Sequence, residues 1–154
     1  MQLYPYRSAT RVVREGGLLR VKLSTRSRYG TRMMMELALH YGEGPVRIAD
    51  IAQRQDISVK YLEQIIIPLK EAKLIKSVRG PKGGHMLAKP PGKINVSVIV
   101  KVLEGGIDMT DCVGDPGICE RSGDCAARSV WKAATKALDD KLKSITLSDM
   151  IKAS

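Results

Sequence analysis

The sequence contains no phenylalanine, and aromatic residues make up only 4% of its 154 residues. A buried core must therefore rest on leucine, isoleucine, valine, methionine and alanine. The chain is nevertheless 44% hydrophobic, which argues against general disorder, and its length fits one domain, with or without an appendage. No apolar run approaches the ~18 residues that a membrane-spanning helix needs. The N-terminal residues also lack the apolar stretch of a secretory signal, so we expect a cytoplasmic protein.

Acidic residues are scarce as well, since 16 aspartates and glutamates face 26 lysines and arginines, for a formal net charge of +10. Such an excess favours a polyanionic partner, either nucleic acid or an anionic membrane surface. Solubility alone is the alternative explanation, and the size of the chain favours nucleic acid. The sequence shows no nucleophile–base arrangement, and “GPKGG” lacks the spacing of either phosphate-binding glycine motif. We therefore do not expect an enzyme.

Cysteine is absent from all but one short stretch, “CVGDPGICERSGDCAARSVW”, which holds Cys112, Cys119 and Cys125. Three thiols cannot pair completely, and disulfides are rare in a cytoplasm. Structural zinc favours four ligands, often in close CxxC pairs, and no such pair occurs here. Thiolates separated by six and five residues on a flexible loop can enclose an iron–sulfur cluster. Three independent buried cysteines are the alternative, which the neighbouring glycines and aspartates disfavour.

Residues 1–20 show no sustained hydrophobic period, and four arginines there face one glutamate. We expect either a disordered basic leader or a start codon assigned too early. A non-specific DNA-binding arm is the functional alternative.

A helical pattern begins at Ser24 or Thr25, either of which can cap it, and “GEGP” at 42–45 ends it. Its apolar positions recur every four residues, at Tyr29, Met33, Leu37 and Tyr41. A second short helix follows, with an apolar face made of Ile48, Ile51 and Ala52. A break at Gln55 and Asp56 then leads to Ser58, whose hydroxyl can cap a third helix.

The third helix has two distinct faces. One carries Leu62, Ile65, Ile66 and Leu69, and the other carries Val59, Lys60, Glu63, Gln64 and Ile67. Two short helices joined by a tight turn form a helix-turn-helix, and the polar face can bind base edges or phosphates. An ordinary helical hairpin with a solvated polar face is the alternative. Pro68 predicts a kink, or a helix restart with this proline in the first turn.

A β-hairpin is predicted next, with strands over 74–79 and 85–88 around the turn cluster “GPKGG”. A hairpin that directly follows a helix-turn-helix is a wing. Arg79 ends its first strand, and Lys82 lies at its tip. An arginine near the tip can enter a narrow minor groove, whereas a surface hairpin whose basic residues only aid solubility is the alternative.

Two further helices flank the cysteine loop. The first helix has an apolar stripe made of Val96, Ile99, Val100 and Leu103. The second helix runs from about Ala126 to Ile145, and its apolar stripe is made of Val130, Trp131, Ala134, Leu138 and Leu142. The second stripe has little to pack on in its own subunit, so we expect it to pair with its copy. A homodimer also suits a palindromic operator. “TLSDMI” predicts a short closing helix capped by Thr146 or Ser148.

The predicted fold class is thus mainly α with a small β-hairpin wing. A winged helix-turn-helix DNA-binding domain is expected over 21–92. A linker helix, the cysteine loop and a long dimerisation helix are expected over 93–154.

From Val21 onward the sequence resembles the IscR-type winged-helix regulators, a family that also includes NsrR and CymR. The motifs that carry the resemblance are “LSTRSRYG”, “ISVKYLEQ”, “SVRGPKGGHMLAKP” and the cysteine loop followed by “SVWKA”. The resemblance implies a dimeric transcription regulator that binds double-stranded DNA. It also implies a [2Fe–2S] or [4Fe–4S] cluster that tunes transcription with cluster supply, oxygen, nitric oxide or redox state.

The resemblance also assigns residues. The recognition helix would carry Ser58, Lys60, Tyr61, Glu63 and Gln64, and Arg79 would be the arginine that enters the minor groove. With Arg28 and Lys82 these are the predicted DNA-binding residues, and Cys112, Cys119 and Cys125 are the predicted cluster ligands. IscR adds a histidine at the position of Arg128, and NsrR-like proteins can add a carboxylate at the position of Arg28. Neither of these fourth ligands is present in this sequence. The candidates for the fourth position are therefore Asp111, Glu120, Asp124, a partner residue, water or a small thiol.

Three other functions stay open from the sequence. The same DNA reader can be switched by thiol oxidation or by zinc. A CymR-like module would be controlled by a bound enzyme. A small iron–sulfur electron carrier is the third alternative, although the predicted winged segment and the net positive charge argue against it.

Overall fold

A computed structural model of the protein describes residues 23–153, and the predicted leader of residues 1–20 lies outside them. Within this range the chain forms seven α-helices and a two-stranded antiparallel sheet. The helices are α1 (Thr25–Leu39), α2 (Ile48–Gln55), α3 (Val59–Glu71), α4 (Val96–Glu104), α5 (Asp111–Gly114), α6 (Ala126–Lys143) and α7 (Leu147–Lys152). The strands are β1 (Ile75–Val78) and β2 (Gly84–Leu87), paired from Ile75 with Leu87 to Val78 with Gly84.

Helix α1 lies at the centre of the fold and packs on α2, α3, α4, α7 and β2. Ser24 caps it, as predicted, by accepting a hydrogen bond from the Ser27 N–H at 3.3 Å. Its side chains Met33, Met34 and Leu37 are buried almost completely. Tyr41, however, falls beyond the last residue of the helix and is 45% exposed, so its predicted place on the apolar stripe is wrong.

Helices α2 and α3 form the predicted helix-turn-helix. Asp56 adopts a left-handed backbone conformation that ends α2, and the Ser58 hydroxyl caps α3 by accepting from the Tyr61 N–H at 3.2 Å. The apolar face of α3 is fully buried, as predicted: Leu62, Ile65, Ile66 and Leu69. The predicted helix restart at Pro68 is wrong because α3 continues through this residue to Glu71.

The hairpin is fastened to the segment that precedes α2. Val46 and His85 exchange two backbone hydrogen bonds of 2.8 Å each, so Val46 lies beside β2 like a short third strand. This contact needs glycine at position 84, because a Cβ atom there would lie 2.3 Å from the Val46 carbonyl oxygen. Strand β1 is one residue shorter at each end than the strand predicted over 74–79. Strand β2 begins and ends one residue earlier than the strand predicted over 85–88.

Helix α4 crosses α1 at very close range. All four residues of its predicted apolar stripe are buried: Val96, Ile99, Val100 and Leu103. At the crossing stands Gly30, where a Cβ atom would lie 2.2 Å from Leu103 Cδ1 and 3.3 Å from Ile65 Cγ2. The absence of a side chain at Gly30 therefore sets the spacing of α1, α3 and α4.

The C-terminal helix α7 returns to this core. Thr146 caps it with a capping box shared with Asp149, and Leu147 is completely buried. The Leu147 N–H donates to the Ile94 carbonyl and the Val96 N–H to the Ile145 carbonyl, both at 2.9 Å. One hydrophobic core thus includes residues from both predicted ranges, 21–92 and 93–154.

Helix α6 makes polar contacts to the rest of the chain along one side. Arg128, Thr135 and Asp139 lie on this side at spacings of seven and four residues. Asp139 accepts from Lys101 and Lys143 at 2.8 Å each and also from the Ser97 hydroxyl. These hydrogen bonds hold the pKa of Asp139 well below its usual range.

Three residues of the predicted apolar stripe of α6 are exposed within residues 23–153, whereas Ala134 and Leu142 are partly buried. Val130 is 59%, Trp131 41% and Leu138 39% exposed, and Thr135 is the buried residue of the helix. The expectation that this stripe finds little to pack on within its own chain therefore holds for Val130, Trp131 and Leu138 but not for Ala134 and Leu142. No helix in the described part of the chain is long and apolar enough to span a membrane.

Replacing Gly30 with alanine should destabilise the fold. The new methyl group overlaps Leu103, and overpacking of this kind costs about 1–3 kcal/mol, more than the ~1 kcal/mol that alanine gains over glycine within a helix. Chemical denaturation of Gly30→Ala, Leu103→Ala and the double variant measures the coupling. Leu103→Ala should relieve the overlap, so that Gly30→Ala is neutral or stabilising in that background. Gly92→Ala, where the nearest atom is 3.7 Å away, is the matched control. Equal costs in both backgrounds would contradict the tight crossing.

Candidate nucleic-acid interface and cysteine loop

The outer face of α3 presents a row of polar and small apolar side chains to solvent. Lys60, Glu63 and Gln64 are exposed on it, together with Val59 and Ile67, as the sequence predicts. Ser58 is also exposed, although its hydroxyl is engaged in capping the helix. Because the opposite face is packed in the core, α3 is rigidly held with this row outward, which suits the reading of a groove.

Tyr61 connects α3 to α1 through a second tyrosine. The rings of Tyr61 and Tyr29 meet edge to face, with centroids 6.1 Å apart and planes at 88°. The guanidinium groups of Arg28 and Arg32 each lie 5.6 Å from the centre of the Tyr29 ring. Such cation–π contacts orient an arginine without neutralising it. Arg28 thus contacts a ring that packs on α3, while the half-buried Tyr61 also packs against the core.

A polar network, which the sequence pattern did not predict, joins α1 to α2. Glu36 is only 8% exposed, and its carboxylate accepts from Arg54 at 2.9 Å and from Gln55 at 2.6 Å. Gln55 in turn accepts from Arg32 at 2.6 Å. An acidic residue on an otherwise apolar helical stripe was the one sequence signal of this network. A buried carboxylate needs such partners, and here they hold the helix-turn-helix against α1.

The hairpin carries the two predicted basic residues at its free end. Arg79 directly follows β1, Lys82 lies in the turn, and both are exposed. Arg47, which sequence analysis missed, donates from its Nη2 to the Pro81 carbonyl of the turn at 3.0 Å. No sequence signal pointed to Arg47, since its partner is a backbone group in a distant turn. Together with the pairing of Val46 and His85, this contact positions the wing.

His85 lies at the base of the wing. Its Nδ1 is 3.0 Å from the Ser77 hydroxyl across the hairpin. Burial and the positive charge of Lys70 lower the pKa of His85, and Glu63 opposes them only in part. The imidazole of His85 is therefore largely uncharged at pH 7, and this side chain adds little positive charge to the base of the wing.

The three cysteines lie at successive corners of the loop between α4 and α6. Cys112 lies in α5, Cys119 follows the short 3₁₀ turn Pro116–Ile118, and Cys125 is the N-cap residue directly before α6. All three thiols are free and half-buried. Among residues 23–153, no three histidine, cysteine, aspartate or glutamate side chains converge as a metal-binding group. Thiolates are the ligands that iron–sulfur clusters use, so the donors suit the group but the described positions do not gather all three.

The loop is held to the inner side of α6. Arg128 donates from its Nε to the Cys112 carbonyl at 2.6 Å and from Nη1 to the Ser122 carbonyl at 3.4 Å. Further along the helix, the Thr135 hydroxyl accepts from the Met109 N–H at 3.2 Å. The three predicted candidates for a fourth ligand, Asp111, Glu120 and Asp124, are all exposed.

An open groove of about 840 Å³ lies beside this loop. Its lining includes Leu23, Ile107, Met109, Ile118, Leu138 and Leu142. Leu138 also belongs to the exposed stripe of α6. The apolar surface of the helix therefore continues into the groove.

Comparison with known proteins identifies the family. The family model described as Rrf2, iron-dependent transcriptional regulator, matches residues 23–153. The protein named rrf2 of Nitratidesulfovibrio vulgaris is 45% identical over 132 residues, which are 86% of this chain and 88% of that protein. The structure of CymR, described as the global cysteine regulator of B. subtilis, has 38% identity and a TM-score of 0.74, over 88% of this chain and 99% of CymR. T. potens IscR has 42% identity and a TM-score of 0.71, over 86% of this chain and 88% of that one.

These matches confirm the resemblance seen in the motifs, and they confirm the winged-helix fold. The chain belongs to the Rrf2 family of transcriptional regulators.

Proposed function

We propose that the protein is a homodimeric, sequence-specific DNA-binding transcription regulator whose cysteine loop holds an iron–sulfur cluster. The observation that carries the DNA-binding part is the pairing of α3 with the wing. The helix is buried on one side and presents Lys60, Glu63 and Gln64 on the other. The adjacent hairpin presents Arg79 and Lys82.

Each exposed residue suits a different kind of contact. Gln64 can bond an adenine edge in the major groove, Glu63 can accept from cytosine, and Val59 can contact a thymine methyl group. Lys60 and Arg28 suit phosphates, which supply affinity without sequence information. Arg79 at the free end of the wing suits a narrow minor groove, where the negative potential is enhanced. The contacts of Arg47 and Val46 support this assignment because they give the wing a defined position.

The homodimer is supported by the distribution of polarity on α6. The side that faces its own subunit makes polar contacts, whereas Val130, Trp131 and Leu138 remain exposed. A contiguous apolar surface of this kind marks an interaction site. A second copy of α6 offers the matching surface, and two-fold symmetry suits a palindromic operator.

The cluster is supported by the chemistry of the donors and by the relatives. Cys112, Cys119 and Cys125 would hold it, with a fourth position taken by Asp111, Glu120, Asp124 or an external ligand. Arg128 offers no lone pair and cannot serve. When bound, the cluster would supply sensitivity to cluster supply, oxygen, nitric oxide or redox state. The matching family model is described as iron-dependent, and T. potens IscR is among the similar structures.

A second candidate is a regulator switched by thiol oxidation or by zinc. Thiol oxidation in particular is favoured by the three free thiols, which do not converge as a metal-binding group within the described residues. Anaerobic purification distinguishes the candidates, since zinc and thiols are colourless. A bound enzyme in the manner of a CymR-like module would appear instead as a stoichiometric partner.

Arg79→Ala should weaken binding to a selected palindrome by about 5- to 150-fold, the equivalent of ~1–3 kcal/mol. The operator is first obtained by in vitro selection from random duplexes, and fluorescence anisotropy then measures affinity for it and for A·T-to-G·C variants. The loss should be confined to sequences with an A·T-rich wing site. Arg121→Ala removes an equal charge from an exposed position in the cysteine loop and is the control. A uniform loss on every sequence, with the salt slope reduced by about 0.9, would make Arg79 a phosphate contact instead.

Leu138→Asp should convert the dimer to a monomer. The charge would be buried unpaired in the interface, which costs several kcal/mol. Analytical ultracentrifugation gives the mass, and Trp131, the single tryptophan of the chain, reports the same event by fluorescence. Its emission should shift to longer wavelength as the interface opens. Ser129→Asp, nine residues away and thus on the opposite side of α6, should leave the dimer intact. A wild-type protein that is monomeric at micromolar concentration would contradict the dimer.

Single substitutions Cys112→Ala, Cys119→Ala and Cys125→Ala should each abolish the visible chromophore of anaerobically reconstituted protein. Each variant should keep its helical content and dimer mass, because the hydrophobic core excludes the loop. Ser122→Ala, which retains every thiol, is the control. Among Asp111, Glu120 and Asp124, at most one substitution to alanine should alter the spectrum. Full colour in any cysteine variant would remove that residue from the ligand set. Stoichiometric zinc without iron, in protein purified anaerobically from its native host, would overturn the cluster.

A further inference from the structure

The side chain of Arg128 joins two separate parts of the cysteine loop. Its Nε donates to the carbonyl of Cys112, sixteen residues earlier, at 2.6 Å. Its Nη1 donates to the carbonyl of Ser122, six residues earlier, at 3.4 Å. A guanidinium group can do this because its donors are held in a rigid planar fork. The first of the two contacts is the shorter and involves a predicted cluster ligand.

The first contact attaches the backbone of Cys112 to the first turn of α6, at the end of the helix that Cys125 caps. Cys125 is the N-cap of α6, and its carbonyl accepts from the Ser129 N–H at 3.3 Å in the first turn of the helix. Arg128 lies in this turn and holds the backbone of Cys112 against it. Cys119, in contrast, lies on the segment between the two carbonyls that Arg128 holds.

A second contact fixes the direction of the loop on α6. Thr135 follows Arg128 by seven residues and therefore lies on the same side of the helix, where it accepts from the Met109 N–H at 3.2 Å. The segment 109–112 is thus attached at both ends and runs antiparallel to α6. The Cys112 thiol also lies 3.4 Å from the Thr110 hydroxyl, which further restrains it.

We propose that Arg128 is a positioning residue that holds Cys112 and Cys125 as a preformed pair of thiols and leaves Cys119 to complete the ligand set. The inference rests on the proposed function in one respect, namely that these thiols bind a metal group. Its physical basis is that a ligand binding two thiols gains affinity when the second thiol is already close, through a higher effective concentration.

Phenylarsine oxide, which binds two neighbouring thiols through its trivalent arsenic, tests the pair without iron. The full chain is used, reduced and metal-free. In the Cys119→Ala background, which keeps Cys112 and Cys125, the arsenical should bind tightly with one arsenic per chain. Adding Arg128→Gln should weaken this binding at least tenfold. Arg121→Gln is the matched control, because Arg121 is exposed and its side chain makes no hydrogen bond or ion pair within residues 23–153.

Two further variants separate positioning from other effects. Arg128→Lys keeps the charge but lacks the planar fork, so it should bind the arsenical as weakly as Arg128→Gln. In the Cys112→Ala background, which keeps Cys119 and Cys125, Arg128→Gln should change the affinity less than threefold. Recovery of tight binding by lysine would show that charge alone acts. An equal loss in both cysteine backgrounds, or no loss in either, would overturn the positioning role. Circular dichroism and dimer mass verify that each variant is folded.

The assay separates this inference from the proposed cluster. A selective loss of arsenical binding in the Cys119→Ala background, together with colourless, iron-free protein, would leave Arg128 as a positioning residue and remove the cluster. Coloured protein that loses its chromophore in each cysteine variant, with unchanged arsenical binding in Arg128→Gln, would leave the cluster and remove the role of Arg128.

Discussion

The crossing of α1 and α4 at Gly30 is the constraint on which the rest of the structure depends. The chain has no phenylalanine, and its one tryptophan lies on the surface, so the core is filled by aliphatic side chains and methionines. Such a core reaches normal packing density only if the helices approach closely. With no side chain at Gly30, Leu103 and Ile65 can both contact α1. Because α1 also packs on α2, α7 and the hairpin, this single crossing sets the position of the exposed face of α3 and of the wing.

A short series of contacts connects the start of the cysteine loop to α3. Glu104, at the end of α4 and directly before the loop, accepts from the Ser24 N–H at the start of α1 at 2.8 Å. Burial tends to raise the pKa of Glu104, but the neighbouring polar groups of Ser27 and Ser24 outweigh it and keep the pKa below its usual range. From this end of α1, Tyr29 reaches Tyr61 of α3. A regulator that couples a loop to a recognition helix needs contacts of this kind, and double-mutant cycles are the evidence for coupling.

Helix α6 reverses the usual arrangement of a surface helix. It contacts the rest of the chain through Arg128, Thr135 and Asp139, and it leaves Val130, Trp131 and Leu138 exposed. A helix attached by hydrogen bonds to a loop must respond when the loop rearranges, because those bonds are directional. The proposed ligand site and the proposed dimer surface therefore share one helix. This arrangement suits a sensor whose state is read by a symmetric pair of DNA-binding heads.

The sequence by itself determined most of the secondary structure, the buried face of α3, the wing and the concentration of thiols in one loop. Periodicity, the caps at Ser24 and Ser58 and the glycine-rich turn are local signals, and local signals can be read from a single chain. Only the tertiary structure decided what the isolated polar residues do. Glu36, Arg47 and Arg128 each act through partners far away in sequence, and no local pattern encodes such a pairing. Pro68 failed as a helix-restart signal for a related reason, since packing of Leu69 and Ile66 in the core keeps α3 continuous. At Pro68 the burial of neighbouring apolar side chains outweighs the local tendency of proline to end a helix. This burial stabilises the continuous helix by more than the loss of one backbone hydrogen bond costs.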